Sequence, residues 1–307
     1  MSLAAPAGLC SMRIETNGVH LWAEAFGAED APTLLLIGNT MLTWEDELCE
    51  RLAASGLRVI RYDQRDTGRS TTVDPDAPGY DLRDLVGDAA GLLDALGAER
   101  AHVAGFGTGG WIAQLLALDH RARVASLTLI ATRPNAPGPV DADLPGHDPQ
   151  LMARIMTAPQ PDWSDRAAVV AHMAESARHV AGSRPFDEAA AREHAGRVYD
   201  RACEAAPELA ATNPGALHRS NQYASVFAVI DTKPRWRERL GEIAVPALVI
   251  HGEEDPFFPL GNGEALAREI PGARLLTLPG AGQELPRSDW DAVVAAIAQL
   301  TATAATA

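Results

Sequence analysis

The sequence predicts an α/β fold, with a mostly parallel central sheet covered by helices on both faces and a helical cap insertion. Three observations predict it. Short apolar runs without a polar face, such as TLLLIGN (33–39) and LRVIRYD (57–63), alternate with amphipathic helical stretches. Strands that are apolar on both faces need cover on both, which parallel sheets receive from their crossover helices. The chain of 307 residues is long enough for one large α/β domain carrying a smaller insertion. The alternation then stops between 133 and 234, where helical patterns follow one another without strands. This divides the chain into a core of 1–132 and 235–307 and a cap of 133–234, placed over the C-terminal ends of the strands, where open α/β sheets bind ligands.

Taken in order, MRIETNGVHLWAEAFG (12–27) alternates polar and apolar residues about Asn17-Gly18, a hairpin signal. TLLLIGN is a buried strand. WEDELCERLAASG (44–56) has helical spacing and stops at Gly56. LRVIRYD is a second buried strand, followed by the amphipathic helix DLRDLVGDAAGLLDALG (81–97). AHVAGFG (101–107) is a third strand, the stretch 109–118 continues as helix, and RVASLTLIAT (123–132) is a fourth strand. The insertion opens with the loop-like RPNAPGPVDADLPGHDP (133–149). Helical patterns follow near 151–157, 166–181, 187–206 and 214–230. VPALVIHGEEDP (245–256) and ARLLTLPG (273–280) are two more strands, separated by the helix GNGEALAREI (261–270). SDWDAVVAAIAQL (288–300) is the closing helix, and the Ala/Thr tail beyond Leu300 is expected to fray.

Composition narrows the partners. The 26 basic and 41 acidic residues leave a net charge of −15, which disfavours nucleic acid and anionic membrane, since both carry the same sign. Three separated cysteines, Cys10, Cys49 and Cys203, form no C-x-x-C and suggest neither a zinc site nor a disulfide framework. MSLAAPAGLCSMR lacks the basic start and apolar core of a signal peptide, and no apolar run reaches the roughly 18 residues of a membrane span. Together these lead to an expectation of a cytoplasmic protein with a small-molecule partner and no metal; a homodimer is compatible with the sequence.

HVAGFGTGGWIAQ (102–114) reads as strand, glycine-rich turn and helix start. That is the frame of a nucleophile elbow, G-x-S-x-G, whose serine stands at the apex. Gly107 stands there instead. Glycine takes the strained backbone angles of an apex without steric cost and leaves room for a water or a bulkier ligand.

Five markers, LLLIGN, RYDQRDTGRS, GFGTGG, VIHGEEDP and LPGAGQELP, stand in the order found in α/β-hydrolases. From about 12 to 300 the chain resembles an α/β-hydrolase fold with a cap, and RYDQRDTGRS with the overall layout most resembles the anthracycline (aclacinomycin-type) methylesterases that act on aromatic polyketides. The resemblance implies no cofactor. It places the triad on Gly107, Asp255 and Gln283, so the acid is kept while the nucleophile serine and catalytic histidine are missing. A serine esterase needs both. The glutamine amide is not appreciably basic, so acyl-enzyme hydrolysis is disfavoured.

The resemblance also places an oxyanion hole at the backbone N–H groups of Asn39 and Thr108, which side-chain changes do not delete. Asp255 is expected either to hydrogen-bond Gln283 or to act as an acid or base itself with a raised pKa. Glu284 is a further proton-carrier candidate, and Asp63, Arg65 and Asp66 are expected to brace a loop near the site. Thr40, Trp44, Phe106, Gly107, Trp111, Phe257 and Phe258 are candidate ligand contacts, suited to a flat hydrophobic molecule. His102, His120 and His251 fall at structural positions, while His147, His172, His179, His194 and His218 lie in the cap, from which one could reach down into the pocket. The first reading is an enzyme acting on a hydrophobic, polyketide-like molecule by non-serine chemistry: cyclisation, elimination, isomerisation, decarboxylation or water attack. Two alternatives stay open: a non-catalytic ligand-binding pseudo-hydrolase, and a methylesterase inactivated by substitutions at 107 and 283.

Overall fold

The computed structural model describes residues 10–135 and 140–305. Residues 1–9, which carry most of the segment read as lacking a signal peptide, and 136–139 of the loop opening the cap lie outside them. The chain opens with a hairpin, β1 (Cys10–Thr16) and β2 (Val19–Phe26), turning at Asn17 and Gly18, which both have positive φ. It continues through β3 (Thr33–Ile37), α1 (Asp46–Ala54), β4 (Arg58–Tyr62), α2 (Leu82–Ala95), β5 (Ala101–Phe106), α3 (Gly109–Asp119) and β6 (Val124–Ile130). Five helices follow: α4 (Pro149–Thr157), α5 (Arg166–Val180), α6 (Glu188–Ala205), α7 (Pro207–Thr212) and α8 (Pro214–Tyr223). The alternation resumes with β7 (Ala247–Gly252), α9 (Gly261–Glu269), β8 (Arg274–Leu278) and α10 (Trp290–Ala305).

The strands form one eight-stranded sheet in the order β1-β2-β4-β3-β5-β6-β7-β8. β1 and β2 pair antiparallel, β2 joins β4 antiparallel, and every pairing from β4 to β8 is parallel. The two-residue period of β3 shows why both faces are covered. Leu35 and Ile37 pack with α2 and α3, whereas Leu34 and Leu36 pack with α1 and α10.

Two elements differ from the sequence reading. The pattern at 214–230 is not one helix: α8 ends where Ala224 turns left-handed at φ +55, and a short 3-10 turn, Ser225–Ala228, follows. Alanine is a poor residue for that turn, so nothing in the sequence announced it. Over the described residues the Ala/Thr tail is helical and not frayed, because α10 runs to Ala305 and buries Thr301. Among the described residues, no helix is long and apolar enough to cross a membrane.

Candidate active site

The turn from β5 into α3 is built by glycines packed against backbone. A Cβ on Gly105 would lie 2.4 Å from Gly109 O, and one on Gly109 would lie 2.2 Å from Ile37 O and 3.1 Å from Gly38 N. The elbow is thus pressed onto the end of β3. Gly109→Ala is expected to cost about 3 kcal/mol, the upper end for overpacking into fixed neighbours, read as a lowered midpoint in urea unfolding. Gly107, at the apex, differs. It has φ +56, and a Cβ there would meet Gln283 Nε2 alone within 4 Å, at 3.6 Å. The apex is held from below by Thr132, whose hydroxyl donates to Gly107 O at 2.7 Å.

The loop after β3 is anchored to the cap. Asn39 Nδ2 donates to Ser220 O at 3.0 Å and Asn221 O at 2.8 Å, satisfying carbonyls in the last turn of α8. The Asn39 side chain is therefore a structural tie, and the oxyanion-hole expectation for this residue rests on its backbone N–H. Neither that N–H nor that of Thr108, the residue ahead of α3, has an acceptor among the described residues. Thr40 is buried at the start of the same loop. The loop is braced as expected of RYDQRDTGRS. Asp63 accepts from Met41 N at 2.9 Å and Arg69 N at 3.0 Å, and also pairs with Arg201 of α6. Arg65 binds Asp88 through Nε at 2.6 Å, and Asp66 accepts from Val73 N at 2.6 Å and Tyr80 Oη at 2.8 Å.

The expected hydrogen bond between Asp255 and Gln283 is not formed. Gln283 Nε2 donates instead to Ala131 O at 3.0 Å, and Gln283 N donates to Val180 O at the end of α5 at 2.8 Å. Ala131 is a buried alanine at φ +46, a strained conformation of the kind found beside functional sites. Asp255 follows β7. Its Oδ1 accepts from Phe257 N and Phe258 N, both at 2.8 Å. Its Oδ2 is buried without a hydrogen bond, and its nearest ionisable contact is His251 Nε2 at 3.5 Å. Gln283 Oε1 is also buried and unpartnered. Two orphan acceptors in adjoining loops, tied by Glu254 N to Ala281 O at 2.9 Å, favour a protonated Asp255, since an orphan carboxylate oxygen is costly. Burial pushes the Asp255 carboxyl up to about 7, against the opposing pull of the Phe258 and Phe257 amides. Burial also pushes the His251 imidazole down, keeping it neutral.

The aromatic candidates divide. Trp44, Trp111 and Phe258 are core residues, each at most 3% exposed: Trp44 packs in the layer under α1 and α10, and the other two in the layer under α3. Period-2 and helical spacing cannot separate a core aromatic from one lining a pocket. Phe106 and Phe257 are half-buried, and Phe257 lies beneath the His147 ring with centroids 4.6 Å apart. Glu284 is half-buried beside the backbone of Gly182 at 3.5 Å. His218 is stacked on Tyr199 at 4.0 Å and fully buried, which pushes its imidazole down to about 4. Sequence reasoning missed Thr132, which holds the apex through its hydroxyl, and Ala131 and Val180, which hold Gln283 through backbone carbonyls that no side-chain pattern marks.

The profile of the alpha/beta hydrolase fold family matches residues 36–285. The rhodomycin D methylesterase of Streptomyces sp. (strain C5) is 33% identical over 306 residues, covering 92% of this chain and 95% of that protein. That of Streptomyces peucetius is 32% identical over 308 residues, with the same two coverages. Among solved structures, the enol-lactonase from Burkholderia xenovorans LB400 superposes with a TM-score of 0.65 at 24% identity, over 95% of this chain and 100% of that one; this is a likeness of fold.

Proposed function

The chain belongs to the alpha/beta hydrolase fold family and resembles anthracycline methylesterases; on that premise we propose that it is an enzyme acting on a hydrophobic, polyketide-like small molecule without an acyl-enzyme. One observation carries the reading: the space above Gly107 is open, with Gln283 Nε2 as its sole neighbour within 4 Å of a Cβ position. The apex offers a place for a ligand group and no nucleophile. Around it stand hydrogen-bond donors: the N–H groups of Asn39 and Thr108, and the second hydrogen of Gln283 Nε2, whose first goes to Ala131 O. Donors aimed at one oxygen stabilise an enolate, phenolate or alkoxide. Asp255, whose carboxyl burial pushes up to about 7, is the proton carrier. These parts suit isomerisation, elimination, cyclisation or decarboxylation, in which charge develops on a carbonyl oxygen while the protein supplies orientation.

Two measurements test this. Incubated with p-nitrophenyl acetate, the protein is expected to show no burst of phenolate and no acyl adduct by intact mass; one equivalent of burst with an adduct at 107–108 would overturn the non-serine reading. Incubated with rhodomycin D and related polycyclic ketones, it is expected to form more than one product molecule per protein molecule by mass spectrometry. Saturable binding without turnover would instead establish a binding protein.

A further inference from the structure

The first cap helix, α4, joins the neighbours of two site residues. Its base lies on the segment just after Asp255. His147 Nδ1 donates to Phe257 O, Asp148 N donates to Pro256 O at 2.8 Å, and the buried Asn262 amide donates to Pro145 O at 3.2 Å. The Asp148 carboxylate caps the helix, accepting from Gln150 N and Leu151 N, both at 2.8 Å, and Pro149 opens it with a preset φ. The far half of α4 lies against α5. There Arg154 Nη1 donates to His179 Nδ1 at 3.3 Å. His179 precedes Val180, whose carbonyl holds Gln283 N at 2.8 Å.

The two ends are held unequally. Three hydrogen bonds fix 145–148 to 256–262. At the far end, among the described residues, Arg154 to His179 is the sole hydrogen bond that 153–160 makes outside the helix. Leu151 is buried near the base, but every residue of 153–160 is exposed, Ile155 at 48% and Met156 at 81%. Apolar burial therefore does not hold the far half. An exposed pair contributes little, and a helix of nine residues does not persist in water by itself. Pro159 and Pro161 keep the helix from extending toward α5.

We propose that α4 is the lid of the candidate site, pivoting at 145–148 and latched by Arg154 on His179. This deepens the reading of Asp255 and Gln283 as parts of one ligand site and rests on it. His179 Nε2 lies 3.5 Å from Glu175 Oε1 on its own helix, which favours the tautomer with its proton on Nε2 and leaves Nδ1 to accept from Arg154. When this latch breaks, the far half of α4 leaves α5 and melts. The gap between the Asp255 loop and the end of α5 then admits a hydrophobic ligand. Reforming the helix closes the gap and shuts out water.

The test begins with amide hydrogen exchange of the free protein at neutral pH. The amides of 153–157 are expected to exchange about tenfold faster than those in the middle of α5, or more, by local opening. Arg154→Ala and His179→Ala are each expected to speed exchange in α4 about threefold, the worth of an exposed pair, with α5 and α6 unchanged. The combined variant is expected to add nothing further, because both changes remove one contact. Stopped-flow binding of the fluorescent naphthyl ketone prodan supplies the second readout. Each variant is expected to raise the association and dissociation rates together by about threefold and to hold Kd within about 1.5-fold, the signature of a gate that touches no ligand. Amides of α4 as slow as those of α5 overturn the proposal, as do variants that shift neither exchange nor the two rates. A variant that changes Kd through one rate alone also overturns it, since Arg154 would then be a ligand contact. Failure of the unmodified protein to bind prodan counts against the parent reading, and exchange in the free protein still decides the lid.

Discussion

Gly107→Ser combined with Gln283→His is expected to create methylesterase activity at least a hundredfold above that of the unmodified chain, with a burst of one equivalent from an activated ester. The geometry supports each half. A Cβ at 107 enters open space, so the serine fits. Its cost is backbone strain at φ +56, about 1–2 kcal/mol for a residue other than glycine, which should lower the melting temperature by a few degrees. Gln283 already brings a side-chain nitrogen to 3.6 Å from that Cβ position, so a histidine there reaches the serine hydroxyl. Asp255 Oδ2, buried without a hydrogen bond, is the acceptor left for the other ring nitrogen. The loss is the Gln283 bond to Ala131 O. Each single variant is expected to remain inactive, since a triad acts as a unit and its members are far from additive. A folded double variant inactive on every methyl ester would show that the pocket, and not only the triad, has left ester hydrolysis behind.

Much of this was legible in the residues and some was not, for physical reasons. β3 and β4 could be read as buried strands because apolar residues occupy both of their faces, and the elbow could be read because close backbone approach requires glycine at 105 and 109. The apex and Gln283 could be brought together from marker order alone. The partners of Gln283 could not, because they are carbonyls of Ala131 and Val180, and a backbone acceptor leaves no signature in side-chain identity. Asn39 was legible as a residue of the oxyanion loop, but its amide bonds to α8 join positions 181 and 182 residues apart, beyond any local pattern.

Asp255→Asn is expected to raise stability at pH 8 by up to about 4 kcal/mol while cutting turnover about a hundredfold. The stability effect follows from where the proton sits. The folded state holds the Asp255 proton up to about pH 7, whereas the unfolded chain releases it near the ordinary carboxylate value of 3.8. Between those values folding takes up a proton, so this group's contribution is most favourable below about pH 4 and is lost as pH rises through 7. Three units of difference at about 1.4 kcal/mol each set the upper limit. Asparagine keeps an Oδ1 to accept from Phe257 N and Phe258 N and never ionises, so its advantage should grow from nothing near pH 4 to its full value above pH 7. His251, 3.5 Å away and held neutral by burial, penalises acid in both proteins; the difference between their urea-unfolding curves across pH isolates Asp255. The activity loss tests a separate property, since an amide cannot give up or take a proton as the carboxyl does. A more stable variant with unchanged turnover would reduce Asp255 to a brace for the Phe257 loop and remove it from proton transfer. A variant with no gain in stability at high pH would mean that Oδ2 is ionised and partnered in solution, and would remove the neutral acid from the mechanism.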